Sequence, residues 1–344
     1  MAPHADACCF ADEKNCFRHM LDWATIITFI VVLGVLLLRV RTGTQKSVHD
    51  DAVVVITGGS AGIGLAYAES VVRFNVPKRI VILARNAQVL EIAQERILTA
   101  RRSTTTQVDI MTCDVSNQKE CEVVARKLGD VDVFVNCAGV SYPSELENMK
   151  YSEIQTMVNT NLLGSIFLTQ LLVPGMKKRR SGVLVFVASQ AAQCGLYGYS
   201  VYSATKFAIR GMAEALQMEV QPYNMSVCVS YPPDTNTEAY ARENELKPRA
   251  TKMMSENGLM EPVQVADLMR QGIERRDFTI WSNFDGFMLS QLTCGFAPAN
   301  SLLQLVYQVP LMGIMRIVSG FYRLHFNSIV KRCIKHDMKA GNTQ

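Results

Sequence analysis

Six short runs rich in valine and isoleucine recur along the middle of this chain: AVVVIT (52–57), RIVILA (79–84), QVDIMT (107–112), VDVFVN (131–136), VLVFVA (183–188) and SVCVSY (226–231). None shows clean polar alternation, so each reads as a strand covered on both faces, as a parallel sheet requires. FTIW (278–281) is a weaker seventh. The intervals carry helical patterns, among them 86–101, 151–177 and 203–221. Such alternation predicts right-handed crossovers and an α/β, Rossmann-type, doubly wound parallel sheet. No repeat or obvious linker breaks the pattern, so a single catalytic domain is expected over residues 50–285.

Apolar segments flank this body. Residues 23–38, WATIITFIVVLGVLLL, hold no charge and are followed by Arg39 and Arg41. Sixteen residues are few for a spanning helix, but a snorkelling arginine and an interfacial Trp23 allow a thin bilayer to be crossed. The preceding stretch, 1–22, carries Asp6, Asp12 and Glu13 rather than a basic leader, and no small-residue cleavage site follows. A membrane anchor over 23–40 is therefore expected. Lys14 and Arg18 before it, against Arg39, Arg41 and Lys46 after it, favour the body on the cytosolic side. The second segment, 286–344, is apolar as far as Phe326 and ends in a polar tail. Pro298 and Pro310 interrupt it, arguing against one straight spanning helix. An interfacial or re-entrant element, or a part of the core, fits that pattern, and a membrane partner is expected.

The net charge of +4 arises from 35 basic and 31 acidic residues, a mixture rather than a field. No basic tract interleaved with aromatics occurs, so nucleic acid is not expected as a partner. The ten cysteines form no C-x-x-C pair and no metal-ligand spacing with the five histidines, so no metal is expected. Cys113, Cys137 and Cys228 fall within or beside predicted strands, where a free thiol behaves as a small hydrophobe in a reducing compartment. Cys8, Cys9 and Cys16 have no such account.

TGGSAGIG (57–64) follows the first strand and opens the first helix. Gly58, Gly62 and Gly64 let the backbone turn tightly and approach a pyrophosphate at a helix N-terminus. Arg85 ends the second strand about 20 residues on, where NAD-binding chains commonly place an acid. An arginine there can hold a 2′-phosphate through parallel hydrogen bonds, so NADPH is the expected cofactor. Asp114 and Val115 follow the third strand and are placed to meet the adenine; Asn136, Ala138 and Gly139 follow the fourth, in NCAG. Tyr202 and Lys206 are four apart in YSATK and share a helical face. An ammonium beside a phenol favours the phenolate and lowers its pKa, so the pair can move a proton near neutral pH.

Together, TGxxxGIG, NCAG and YxxxK, in this order and over residues 52–235, resemble the short-chain dehydrogenase/reductase family. The resemblance implies that Asn161 and Ser189 join Tyr202 and Lys206 as catalytic residues. Ser60, Ile63 and Thr235 would join Gly58, Gly62, Gly64, Arg85, Asp114, Val115, Asn136, Tyr202 and Lys206 around the cofactor. Residues 202–235 and LTCGFAP (292–298) are similar to a branch of the family that reduces a long-chain amino ketone in sphingolipid synthesis. That implies NADPH as reductant, an amino-ketone lipid as substrate and attachment to the endoplasmic reticulum. Tyr202 would donate the proton, Ser189 a hydrogen bond, and Lys206 would tune Tyr202 and hold the nicotinamide ribose. Asn161 would position a water that restores the proton. Homo-oligomers in the family pair through the helices corresponding to 151–177 and 203–221. A steroid, a retinoid or a 3-ketoacyl thioester is an alternative substrate, and an NADPH-binding membrane scaffold is the non-catalytic alternative. Substrate choice is expected in the segment from PPDTNT (232–237) to about 260, read as a lid or a plain surface excursion.

Overall fold

The computed structural model describes residues 47–255 and 258–339; the expected extension 1–22 and anchor 23–40 lie outside them. The valine- and isoleucine-rich runs pair as β1 (Val53–Thr57), β2 (Arg79–Ala84), β3 (Gln107–Thr112), β4 (Val133–Asn136), β5 (Gly182–Val187), β6 (Met225–Tyr231) and β7 (Thr279–Trp281). All are parallel, in the order β3-β2-β1-β4-β5-β6-β7. The expected doubly wound sheet is present, including the weak seventh strand.

Alternate residues of each strand face opposite sides. Val54, Ile56, Ile80 and Ile82 pack with residues of α1 (Gly62–Phe74), α2 (Ala87–Ala100) and α9 (Pro262–Glu274). Val55, Val81, Leu83, Phe134 and Phe186 pack with residues of α3 (Gln118–Leu128), α5 (Gly164–Arg179) and α6 (Ser200–Val220). Each such side chain contributes about 1.5–3 kcal/mol through apolar surface removed from water. The direction of chain progression reverses between β1 and β4, and the carboxyl ends of these strands border the crevice where such sheets bind ligands.

Two helices depart from the sequence reading. The stretch expected as one helix over 151–177 is α4 (Tyr151–Met157), a π turn (Val158–Leu163) and α5. Such turns concentrate at functional sites, and this one holds buried Asn161. The second departure is α11, Leu302–Lys339, which runs unbroken through Pro310. Proline removes one backbone donor and crowds the preceding turn, but every other residue of a nucleated helix adds a bond. Pro174 inside α5 is tolerated in the same way.

After β6 the chain forms α7 (Glu238–Leu246) and α8 (Arg249–Met254) before α9, and α10 (Phe284–Leu292) follows β7. By contacts the described residues divide into two units: Ala299–Pro310, and 47–298 with 311–339. The described part of the smaller unit opens α11. In the larger unit, Ile329 and Cys333 of α11 pack with Ala250 of α8, flanked by Tyr197 and Phe326. Two stretches among the described residues are long and apolar enough to cross a membrane, Tyr151–Arg179 and Leu302–His336. The first is 44% buried and supplies core residues through α5. The second is 11% buried, leaving Ile314, Ile317, Phe321 and Leu324 in the open.

Candidate active site

The glycine turn after β1 closes on the end of β4. Gly58 has φ +65, and a Cβ there would stand 2.9 Å from Ala138 Cα; a Cβ on Gly64 would strike the Gly58 carbonyl oxygen. Thr57 Oγ1 fastens the two strand ends, accepting from the N–H groups of Cys137 (3.0 Å) and Ala138 (3.1 Å). Sequence reasoning missed this threonine, whose only signal is a hydroxyl at the strand end. Ala61, the N-cap of α1, gives no side-chain hydrogen bond, and no acid lies in the first turn. The free N–H groups and positive end of the helix dipole suit an anion. A bare backbone turn against an uncapped helix fits the pyrophosphate of a dinucleotide.

Ser60, Gly62 and Ile63 lie in and just after this turn, and Arg85 is exposed immediately after β2. Asp114 follows β3, and its Oδ1 accepts from the Ser116 N–H (2.9 Å) and hydroxyl (2.7 Å). Val115 is buried, so close to α5 that a Cβ on Gly164 would stand 2.7 Å from Val115 Cγ2. Asn136 is also buried, and its Nδ2 donates to Thr169 Oγ1 (3.3 Å). Its side chain thus turns into α5 rather than the crevice. Thr235 is buried beyond β6, bonds Pro233 O through Oγ1 (2.8 Å) and bridges to Met260.

Tyr202 and Lys206 fall in the first two turns of α6. Lys206 is buried; its Nζ donates to Val187 O (2.9 Å) and lies 5.7 Å from the centre of the Tyr202 ring. Burial pushes the Lys206 ammonium down to about 8, opposed by Cys137 and Glu243. The Tyr202 phenol moves the other way. Burial raises it above its ordinary value, the Glu243 carboxylate adds to that, and the Ser189 hydroxyl draws it back. The expected lowering by Lys206 is therefore not what the chain alone gives. A phenol held protonated is suited to donating a proton, the direction a reduction needs.

Ser189 stands at the end of β5, where its Oγ also accepts from Ala191 N–H (3.1 Å). Asn161 clamps the turn after β4: Oδ1 accepts from Val140 N–H (2.8 Å), and Nδ2 donates to Val140 O (2.9 Å) and Thr205 Oγ1 (3.2 Å). Thr205 precedes Lys206, so Asn161 ties that turn to α6. Over this site the segment after β6 folds back. Met260 N–H donates to Asp234 O (3.1 Å) and Asn236 N–H to Met260 O (2.8 Å), pinning its base. Thr251 Oγ1 donates to Tyr197 O (2.8 Å) at its far side.

The parallel sheet, the glycine turn beneath an uncapped helix and the buried Tyr–Lys pair define a nucleotide-dependent oxidoreductase of the Rossmann type. The short chain dehydrogenase family model matches residues 52–247, and the chain belongs to that family. It is 39% identical over 328 residues to a Bos taurus protein named 3-ketodihydrosphingosine reductase, covering 93% of this chain and 97% of that one. To the Mus musculus protein of the same name it is 42% identical over 292 residues, covering 83% and 87%. Among solved structures, an alcohol dehydrogenase from the archaeon Thermococcus sibiricus, complexed with 5-hydroxy-NADP, aligns with a TM-score of 0.57. That pair is 25% identical, covering 67% of this chain and 95% of that one.

Proposed function

We propose that this chain reduces 3-ketodihydrosphingosine to dihydrosphingosine with NADPH, as a step of sphingolipid synthesis. The observation that carries the reading is relatives of that name at 39–42% identity, over nearly the whole of each chain. The Tyr202, Lys206, Ser189 and Asn161 set stands intact in the fold beside it.

The bound cofactor supplies a hydride to the ketone carbon. The protein's part is orientation and charge. Gly58, Gly62 and Gly64 let the backbone approach the pyrophosphate, with Ser60 and Ile63 alongside. Arg85 takes the 2′-phosphate, Asp114 and Val115 border the adenine, and Thr235 borders the far end of the crevice. Asn136 supports the crevice wall through Thr169. As negative charge develops on the carbonyl oxygen, Tyr202 gives it a proton and Ser189 a hydrogen bond. Lys206, buried beside them, stabilises the phenolate left behind and holds ribose hydroxyls. Asn161 keeps Lys206 aligned with the path by which solvent restores the proton.

The exposed apolar side of α11, from Leu302 to His336, supports membrane association. The segment 23–40 would add an anchor, with the catalytic region of 50–285 on the cytosolic face of the endoplasmic reticulum. Residues 286–344 would then lie against the bilayer from which a long-chain substrate enters. The test is NADPH oxidation by the detergent-solubilised protein given 3-ketodihydrosphingosine, with dihydrosphingosine identified as product. Turnover confined to a steroid, retinoid or ketoacyl thioester would replace the substrate. Cofactor binding without turnover of any ketone would point to a scaffold.

A further inference from the structure

α7 is a surface helix with no fully buried residue, yet one of its acids turns inward. Glu243 Oε1 accepts a hydrogen bond from the Tyr199 hydroxyl. Tyr199 is buried, and its ring lies 5.6 Å from that of Tyr202 at 52°. A carboxylate is thus held one aromatic ring away from the proton donor. The nearby acid Asp234 is already neutralised: Lys247 Nζ, buried, lies 2.8 Å from its Oδ2 and also donates to Tyr240 Oη (3.2 Å). Lys247 also favours the Glu243 carboxylate at a distance, but its ammonium is spent on Asp234 and Tyr240. Loss of water raises its pKa, with Tyr199 first among the groups pulling the other way. Its charge is felt at both Tyr202 and Lys206. A part-buried carboxylate without a cation bonded to it is costly, and the cost is relieved when a cation enters beside it.

We infer that Glu243, presented by Tyr199, receives the ammonium group of the substrate and so selects amino ketones over other long-chain ketones. The inference rests on the reduction proposed above. In that substrate the ammonium sits on the carbon next to the ketone. With the carbonyl oxygen at Tyr202 and Ser189, the ammonium must therefore lie within the same pocket. Lys206 repels it there, and Glu243 offers the opposite charge on the α7 side. Steroid, retinoid and thioester ketones carry no such cation and gain nothing from this carboxylate. The role is one of specificity: Glu243 touches the substrate without taking part in bond making.

The experiment compares 3-ketodihydrosphingosine with its chain-matched analogue lacking the amine, using the full chain in detergent with NADPH. The wild-type protein is expected to favour the amine by roughly tenfold to a hundredfold in kcat/KM, the range of one charge-assisted hydrogen bond. Glu243→Gln keeps the shape and removes the charge. It is expected to erase that preference, mainly through KM, while kcat/KM for the analogue and NADPH binding followed by cofactor fluorescence stay within a few-fold. Tyr199→Phe is expected to fall between the two. Equal losses on both ketones in Glu243→Gln, or a wild-type protein indifferent to the amine, would overturn the inference and leave the reduction standing. The wild-type comparison decides even if the variant fails to fold. Absence of any turnover of the amino ketone would remove the proposed function and this inference together.

Discussion

Lys206 and Tyr202 depart from their ordinary pKa values in opposite directions, one down to about 8 and the other upward. Each shift favours the less charged form, as burial dictates. Reduction needs Tyr202 protonated and Lys206 charged, so activity should fall on the alkaline side as Lys206 loses its proton. The apparent pKa of kcat/KM for the ketone at saturating NADPH is expected at or above 8, because the anionic cofactor favours the ammonium. Lys206→Arg should move that limb to higher pH; an alkaline limb unmoved by this change would contradict the assignment. Arg85 is the second test at this scale. Arg85→Asp places a negative charge where the 2′-phosphate is proposed to bind, and should weaken NADPH relative to NADH by at least tenfold. Titration of both cofactors by fluorescence measures it, and an unchanged ratio would remove Arg85 from the site. The Tyr–Lys spacing and the glycine turn were legible in the sequence because each works through neighbours along the chain. Glu243 was not legible. It meets Tyr199 across 44 residues, through a fold that no local spacing encodes.

Elements were legible where hydrophobic pattern alone decides them, as in the seven strands. They were less so where tertiary contact overrides pattern. Nothing in VNTNLL (158–163) announces a π turn; Asn161 bonding Val140 and Thr205 is what favours the wider turn there. Pro310 reads as a break from sequence, yet one lost bond does not outweigh the rest of a long helix. The reach of α7 and α8 back to the loop before α6 depends on Gly198, whose φ is +76. A Cβ there would stand 2.8 Å from Thr251 Oγ1 and 3.1 Å from Pro248 Cγ. Gly198→Ala should cost about 1–3 kcal/mol in stability from the left-handed backbone. It should also lift the segment carrying Glu243 and raise KM for the ketone more than Kd for NADPH. Denaturant unfolding and steady-state kinetics read the two effects, and a variant unaltered in both would show that the loop tolerates a side chain there.

Across the whole molecule, a buried polar cluster ties the start of the described chain to the sheet's flank. Glu274 of α9 bonds Ser47 Oγ (2.5 Å), His49 Nδ1 (2.9 Å) and Asn75 Nδ2 (3.0 Å), while His49 Nε2 meets Tyr67 Oη (2.7 Å). Burial raises the Glu274 pKa, but bonds from His49, Ser47 and Asn75 prevail and hold it near 2. A carboxyl depressed on folding adds stability that is full above its ordinary titration range and lost as pH falls through that range toward 2. Glu274→Gln should therefore destabilise the protein at neutral pH and flatten its acid-side stability loss, measured by thermal unfolding against pH. An unchanged acid limb would exclude Glu274 as its source. The fold and cofactor class were legible at this scale because strand–helix alternation implies a parallel doubly wound sheet, and the glycine turn with Arg85 points to NADPH. The exposed apolar side of α11 was only half legible, since composition gives apolarity and not exposure. The most direct measurement is Tyr202→Phe in the full chain, assayed for NADPH binding and for dihydrosphingosine formed from 3-ketodihydrosphingosine. Turnover lost by at least a hundredfold with NADPH affinity within a few-fold is the predicted result. Substantial residual reduction would contradict the assignment of Tyr202 as the proton donor.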